Sequence, residues 1–422
     1  MSNPKPFVIS ALLLCLALAV FSPCLNNGFI NLDDPDYVTD NPALRQPFPQ
    51  NLRTIFSSLD LSAYTPLTTL SYALEYHLFK LDPRTYHFDN IVLHLFNIAL
   101  VLWLVYLLTG RFAIALIIAA LFGVHPLRVE SVAWVSERKD LLFALFYLGG
   151  LISYVQSIKK GRRKPSLAAP LSFFILSCLA KPQAMSFPLA LLAVDHFYER
   201  GRWGQLVLEK LPLFAVTALF AMIHLTAAQA RAWDPQMGGI PAFSSFEKFL
   251  FTNFAVLVYL AQSLWPANLS IAYPYPSEIV SPFRWIVHAS PFINLALIAV
   301  LLRLSRTDRA VRFGALFFLI TLSLPLGLIS SERIFVHDRY TYLPHVGFFT
   351  ALVCLLADKR SAPILKKSAG ILLAICVISL STISFYRCKV WHDSRTLWAD
   401  AFSRYPDMAV IYLNRGPASR SP

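Results

Sequence analysis

The sequence predicts an all-α fold, a bundle of membrane helices that crosses the bilayer about eleven times. Of its 422 residues, 56% are hydrophobic and only 14% are charged, which gives a mean hydropathy of +0.55. A soluble domain carries about 25% charged residues. The apolar residues also recur in blocks near the length of about 20 residues that spans the hydrocarbon core. These observations exclude a soluble domain and predict an integral, multi-pass membrane protein.

The apolar blocks follow one another along most of the chain. They cover residues 7–25, 86–109, 111–127, 139–157, 166–180, 184–198, 207–229, 249–265, 285–302, 313–330, 343–357 and 368–386. The first block resembles a signal sequence, but residues 23–25 make a poor cleavage site, so we expect an uncleaved membrane anchor.

Positive charge lies between these blocks. A formal net charge of +13 could indicate a nucleic-acid partner. Because the Lys and Arg residues cluster beside membrane segments, they indicate topology instead, and no nucleic acid is expected. The clusters predicted to be cytoplasmic lie at residues 159–164, 200–202, 303–312 and 359–367.

The block at 249–265 does not fit this alternation as a single crossing. It contains Asn253, Gln262 and Trp265, and we interpret it as an interfacial or re-entrant helix. With that assignment the C-terminus is external. The loops then predicted to face outward are residues 26–85, 128–138, 266–284 and 331–342.

An acidic pair follows the first membrane block directly. Asp33 and Asp34 stand before Pro35 in the first outer loop. Two adjacent carboxylates repel each other and raise the pKa of one of them, which suits a general base at a membrane surface. An acidic turn closed by Pro35 is the alternative. The spacing alone leaves both interpretations open.

A helix is predicted after this pair. Thr65 can cap it and Pro66 can take its first position. The apolar face of this helix indicates that it lies along the outer membrane surface. That face consists of Leu70, Leu74, Leu78 and Phe79.

External cations occur in three places. Arg138 and Lys139 end the outer stretch 125–140, Lys181 stands between two apolar blocks, and Arg339 lies in the last outer loop. Converging cations would suit a lipid-linked phosphate. Salt bridges with neighbouring carboxylates, or snorkelling to lipid headgroups, are the alternatives. The side chains expected to support such a site are His125, Glu130, Tyr340 and Tyr342.

A metal or redox site is not expected. The six cysteines form no CxxC pair and no Cys/His cluster with zinc spacing. Most of them fall inside apolar blocks, where a thiol behaves as a small hydrophobic group. The sequence therefore predicts no metal and no cofactor.

Several motifs together resemble a known family. They read LDDPDYV, YTPLTTLSYALEYHLF, HPLRVESVAWVSERKD, LAKPQAMSFPLALLAVD and DRYTYLP. The chain resembles the multispanning glycosyltransferases of the GT-C class, and in particular the transmembrane and tetratricopeptide-repeat O-mannosyltransferases and their bacterial relatives. This resemblance implies a GT-C-like bundle, a polyprenyl-phosphate sugar as donor and a protein Ser or Thr hydroxyl as acceptor. It places the catalytic acidic pair on Asp33 and Asp34.

The resemblance leads to a specific functional hypothesis. A sugar, expected to be mannose, would pass from the lipid donor to the acceptor with inversion, on the external or lumenal face of a bacterial inner membrane or endoplasmic reticulum. Asp34 is favoured slightly over Asp33 as the base, because Pro35 restricts the backbone of the residue before it. Arg138, Lys139, Lys181 and Arg339 would bind the donor phosphate. The alternative is a non-catalytic transporter, flippase or scaffold for lipid-linked sugars.

The C-terminal tail departs from the membrane pattern. Residues 1–388 are predicted to form the GT-C-like membrane domain, and residues 389–422 the truncated start of a tetratricopeptide-like region. We expect a short external helix in this tail, capped by Asp393 or Ser394. Because the array would be cut short, either by loss of a module or by truncation, acceptor recognition and activity are in question.

Overall fold

A computed structural model describes most of the chain. It describes residues 5–57, 64–161, 165–231, 243–276, 285–304, 308–328, 334–357, 363–408, 410–412 and 414. The described residues form helices and loops without a β-strand, which confirms the all-α prediction. Parts of the predicted loops lie outside the described residues, namely 58–63, 162–164, 277–284, 305–307, 331–333, 358–362 and the tail from 415.

The helices are numbered in chain order. They are α1 Lys5–Phe21, α2 Pro42–Arg45, α3 Asn51–Ser57, α4 Pro66–Phe79, α5 Pro83–Thr109, α6 Phe112–Val124, α7 Val129–Ala133, α8 Arg138–Lys159, α9 Ala168–Ala180, α10 Phe187–Phe197, α11 Trp203–Glu209, α12 Leu211–Arg231, α13 Ser245–Leu264, α14 Trp285–Leu304, α15 Arg309–Leu328, α16 Pro344–Leu356, α17 Pro363–Val390 and α18 Ser394–Arg404.

Within the described part of the chain, 6 helical segments are long and apolar enough to cross a membrane. This number rises to 8 if each of two bent helix pairs forms one span. The pairs are α6 with the turn and helix that follow it, and α11 with α12. The predicted eleven spans are therefore not confirmed. Several apolar blocks form helices that are too short: α9 and α16 have 13 residues each and α10 has 11, whereas a crossing needs about 20.

Helix α13 covers the block that we interpreted as interfacial or re-entrant. It has 20 residues but does not belong to the candidate spans of the described chain. Its N-terminus carries a capping box, in which Ser244 and Glu247 satisfy each other's backbone N–H groups. The membrane position of α13 remains a prediction.

Helix α4 has the amphipathic form that its sequence predicts. Pro66 takes its first position, and Tyr72 and Ala73 are buried against the rest of the fold. Leu74 and Leu78 lie on the exposed side, together with other apolar residues of the same face. This arrangement is consistent with a helix along a membrane surface.

Helices α15 and α16 approach each other backbone to backbone. A Cβ atom added at Gly314 would lie 2.5 Å from the backbone oxygen of Gly347 and 2.5 Å from the backbone nitrogen of Ala351. Glycine is therefore required for this approach, as at many close helix crossings in membranes. Because α16 begins just after the Asp338–Thr341 turn, this packing also fixes the position of that turn.

Candidate active site

The first half of the site is the acidic loop between α1 and α2, defined as residues 27–34. Asp34 ends it and is fully buried. Its carboxylate accepts hydrogen bonds from the backbone N–H of Ile30 at 2.8 Å and of Ser136 at 3.0 Å, and a short bond from the Ser136 hydroxyl. Burial raises the pKa of Asp34 to about 6, although these hydrogen bonds lower it. Asp34 thus fastens the acidic loop to the turn before α8.

Asp33 has a different environment from its neighbour. Its side chain is 37% exposed, and its Oδ2 lies 3.2 Å from Nζ of Lys139. The ammonium group of Lys139 also lies 4.2 Å from the ring centre of Tyr37. Of the two acidic residues, Asp33 is therefore the one that an incoming molecule can reach.

Three cations meet around a single carboxylate, that of Glu137. Its oxygens lie 3.4 Å from Nζ of Lys139, 3.0 Å from Nζ of Lys181 and 3.4 Å from Nε of Arg339. Lys139 is the second residue of α8, Lys181 follows α9, and Arg339 belongs to the turn before α16. The fold thus brings together three positions that are far apart in sequence.

Each of these cations also contacts a second carboxylate. Lys139 contacts Asp33, as described above. Lys181 lies 2.7 Å from Asp140, and Arg339 lies 2.5 Å from Glu130, which also accepts a hydrogen bond from the Arg339 backbone at 3.1 Å. We call this set the charge cluster. It consists of Asp33, Glu130, Glu137, Lys139, Asp140, Lys181 and Arg339.

Aromatic rings line one side of the charge cluster. The guanidinium carbon of Arg339 lies 5.2 Å from the ring centre of Tyr340 and 5.3 Å from that of Trp134. Nζ of Lys181 lies 5.9 Å from the same Tyr340 ring. Of the residues expected to support the site, Tyr340 and Glu130 therefore do contact it.

Arg138 points away from the charge cluster, which corrects its grouping with the other cations. It makes a bidentate ion pair with Glu75 of α4, one bond of which is short and the other 2.9 Å long. Its Nε donates to Asn90 at 2.8 Å, and its guanidinium lies 4.7 Å from the ring centre of Tyr72. Successive residues of a helix point about 100° apart, so Arg138 and Lys139 face different partners.

The buried Glu75 carboxyl shows how deeply this pair is enclosed. Burial raises the pKa of Glu75 to about 7, although the neighbouring Arg138 lowers it. Arg138 is itself only 1% exposed. The pair joins α4 to the start of α8 and leaves no open face toward a ligand.

His125 and Tyr342 also lie apart from the charge cluster. His125 is buried, with Nε2 3.2 Å from the Ser263 carbonyl and Nδ1 accepting from the N–H of Leu127 at 3.3 Å. The Tyr342 hydroxyl lies 2.7 Å from Nδ1 of His94. These two residues pack in the core behind the site, and their role in supporting it remains a prediction.

Two residues of the cluster were not predicted as site residues, Glu137 and Asp140. They lie in the run of alternating charges that begins α8, where acids and bases next to a membrane segment are a visible signal. Among the described residues, no group of three or more His, Cys, Asp or Glu side chains could hold a metal ion.

The C-terminal tail covers the acidic loop. Asp393 caps α18, as one of the two predicted alternatives, while Ser394 accepts a hydrogen bond from the backbone N–H of Asn31 at 2.8 Å. The Gly28 N–H donates to the carbonyl of His392 at 2.8 Å. Sequence patterns gave no sign of these contacts, because they join the loop after the first helix to the tail that follows the membrane domain.

Comparison with known proteins shows which proteins the chain resembles. No family model matches the chain, and no solved structure matches it. A protein O-mannosyl-transferase of Caenorhabditis elegans is 26% identical to the chain over 96% of its length. The resemblance inferred from the motifs is thereby confirmed. The human protein O-mannosyl-transferases TMTC3 and TMTC4 are 23% and 25% identical over 96% and 97% of the chain.

These O-mannosyl-transferases are longer proteins. The chain spans 59% of the length of the worm relative, 49% of human TMTC3 and 64% of human TMTC4. The likeness to the O-mannosyl-transferases runs through nearly the whole chain, and so takes in its membrane helices and most of the site.

Proposed function

We propose that the chain is a membrane glycosyltransferase that moves mannose from a polyprenyl-phosphate donor to a Ser or Thr hydroxyl of a protein. The names of its relatives support the sugar and the acceptor class. The observation that carries the proposal is the position of Asp33. It is an exposed carboxylate in contact with Lys139, which belongs to a group of three convergent cations.

The donor phosphate binds at Lys139, Lys181 and Arg339. Arg339 offers a planar fork that can hold two phosphate oxygens, and the two lysines add compact charges. All three stand beside apolar helices, which suits a ligand with a charged head and a long hydrocarbon chain. Arg138 has no part in this step, because it is 1% exposed and its guanidinium points away from the charge cluster toward Glu75.

Asp33, not Asp34, is the general base. Its carboxylate takes the proton of the acceptor hydroxyl while the hydroxyl oxygen attacks the anomeric carbon of the sugar. The bond between that carbon and the phosphate oxygen breaks, and the electron pair leaves with the lipid phosphate. The three cations stabilise the charge that develops there. A single displacement inverts the anomeric configuration. Asp34 holds the loop in place through Ile30 and Ser136.

Single Asn variants in isolated membranes test this assignment. We expect Asp33→Asn to lower sugar transfer by about 10² to 10⁴, the usual effect of losing a general base, with donor binding retained. Asp34→Asn should instead lower the amount of folded protein, because an amide has a single acceptor oxygen and cannot accept from both Ile30 and Ser136. Asp40→Asn, at an exposed position just after the loop, is the control and should be fully active.

Two outcomes would contradict the proposal. Full transfer by Asp33→Asn would exclude this carboxylate as the base. Binding of the donor without any transfer by the wild-type chain would favour a transporter, flippase or scaffold. The external location is tested separately by a cysteine placed at the exposed Asp36, which an impermeant reagent should label from outside.

A further inference from the structure

Glu137 holds an unusual place in the charge cluster. Among the residues that the structure describes, it is the one carboxylate that contacts Lys139, Lys181 and Arg339 together. The other carboxylates are divided among these cations: Asp33 contacts Lys139, and the remaining two serve Lys181 and Arg339. With all groups ionised, the cluster has four negative and three positive charges. Glu137, which the three cations share, therefore supplies the excess negative charge.

We propose that Glu137 occupies the position of the donor phosphate in the empty enzyme and competes with it for the three cations. This inference rests on the proposed function. A lipid–phosphate–sugar donor is a phosphodiester with a single negative charge, the same charge as a carboxylate. The donor phosphate therefore presents to Lys139, Lys181 and Arg339 the same charge that the Glu137 carboxylate presents in the empty enzyme.

The second carboxylates make this exchange possible. When Glu137 gives up its contacts, Lys139 keeps Asp33, Lys181 keeps Asp140 and Arg339 keeps Glu130. The cations then remain in place, because each is still held by a partner of opposite charge. Breaking a buried ion pair is costly when it leaves a charge without a partner, and each of the three cations keeps one; the cost of the exchange falls on Glu137, which is 2% exposed and must move toward solvent or take up a proton when the donor binds.

Competition by Glu137 has its main effect after transfer. The product lipid phosphate is a monoester with a charge of about −1.5 to −2 at neutral pH, so it binds the three cations more strongly than the donor does. A carboxylate that returns to Lys139, Lys181 and Arg339 displaces this product. Glu137 is thus a positioning residue that speeds product release.

Binding of farnesyl phosphate, a short polyprenyl phosphate, tests the inference with the full chain in detergent micelles or nanodiscs. Glu137→Asp keeps the charge but shortens the side chain by one methylene, so it cannot reach all three cations. We expect it to bind farnesyl phosphate about tenfold more tightly than the wild type, as expected when a competing charge-assisted contact is lost. Transfer should show a fast first turnover followed by slow steady-state turnover, with a lower kcat.

Glu130→Gln is the control for charge alone. It also removes one negative charge from the cluster, but at a carboxylate that contacts only Arg339 among the three cations. It should tighten binding less than Glu137→Asp does. Unchanged or weaker binding by Glu137→Asp would overturn the inference, while failure of the wild-type chain to bind farnesyl phosphate at all would overturn the proposed function instead.

Discussion

The indole N–H of Trp398 donates a hydrogen bond to the side-chain oxygen of Asn31 at 3.0 Å. Trp398 is buried in α18, the helix that follows the last membrane segment, and Asn31 precedes the acidic pair by two residues. The bond therefore connects the tail to the loop that presents Asp33.

Trp398→Phe should lower sugar transfer without lowering the binding of farnesyl phosphate. The variant keeps an aromatic ring but removes the N–H donor, so Asn31 loses a partner worth about 1 kcal/mol and the acidic loop becomes less well held. Transfer kinetics and farnesyl phosphate binding measure the two effects. Trp203→Phe, at a tryptophan that is 53% exposed, is the matched control. A drop in binding equal to the drop in transfer would place the effect on the phosphate site instead.

Substitution of the two adjacent cations at the start of α8, Arg138 and Lys139, should affect different properties of the protein. Arg138→Met leaves Glu75 buried without its partner and should lower the free energy of unfolding by about 3 kcal/mol. Lys139→Met should weaken farnesyl phosphate binding with a smaller effect on stability. Thermal unfolding and binding measured on both variants check this pair. Replacing Glu75 by Leu together with Arg138→Met should recover much of the lost stability. Weaker binding by Arg138→Met at full stability would contradict its structural role.

The free energy of unfolding should fall as the pH rises toward the raised pKa of Asp338. This residue lies in the Asp338–Thr341 turn, where burial, and then the nearby Glu130 charge, raise its pKa to about 8. Between its ordinary pKa of about 3.9 and this value, the folded chain holds a proton that the unfolded chain has released, so rising pH favours unfolding. Asp338→Asn should flatten the fall in melting temperature between pH 5 and pH 8, and Asp40→Asn should not. An unchanged slope in Asp338→Asn would exclude this group.

Glycines on the same helix should differ in their tolerance of alanine. Gly314→Ala forces a methyl group against the backbone of α16 and should lower the free energy of unfolding by about 1 to 3 kcal/mol. Gly327→Ala is the matched control on α15, because nothing lies within 4 Å of its added Cβ. Melting temperatures of the two purified variants provide the comparison. Equal stability would mean that α15 and α16 can separate without cost.

The members of the site were partly visible in the sequence. Ionisable groups beside membrane segments are costly, so Asp33, Lys139, Lys181 and Arg339 stand out against an apolar background. Their partners could not be deduced, because pairing depends on the direction in which each side chain leaves its backbone. That is why Arg138 was grouped with Lys139 although the two face different elements.

The sequence also did not indicate which of the two acidic side chains, Asp33 or Asp34, is exposed to solvent. Pro35 was expected to hold the backbone of Asp34 extended, which suggested a well-aimed base, but Asp34 has helical dihedral angles (φ −62°, ψ −35°) and its side chain points inward toward Ser136. The number of spans was overestimated for a related reason: hydropathy marks apolar segments, while the length of the helix within each segment depends on breaks such as that between α11 and α12.

The contact between the tail and the acidic loop has a consequence for synthesis. The backbone of Asn31 bonds to Ser394, a residue 363 positions later in the chain. At about 5 to 20 residues per second, the ribosome needs roughly 20 to 70 s to reach that partner after Asn31 has been made. During this interval the nascent chain already contains Asp33 but lacks the segment that holds the loop. The observed arrangement of the acidic loop can therefore form only after the last membrane helix has been translated.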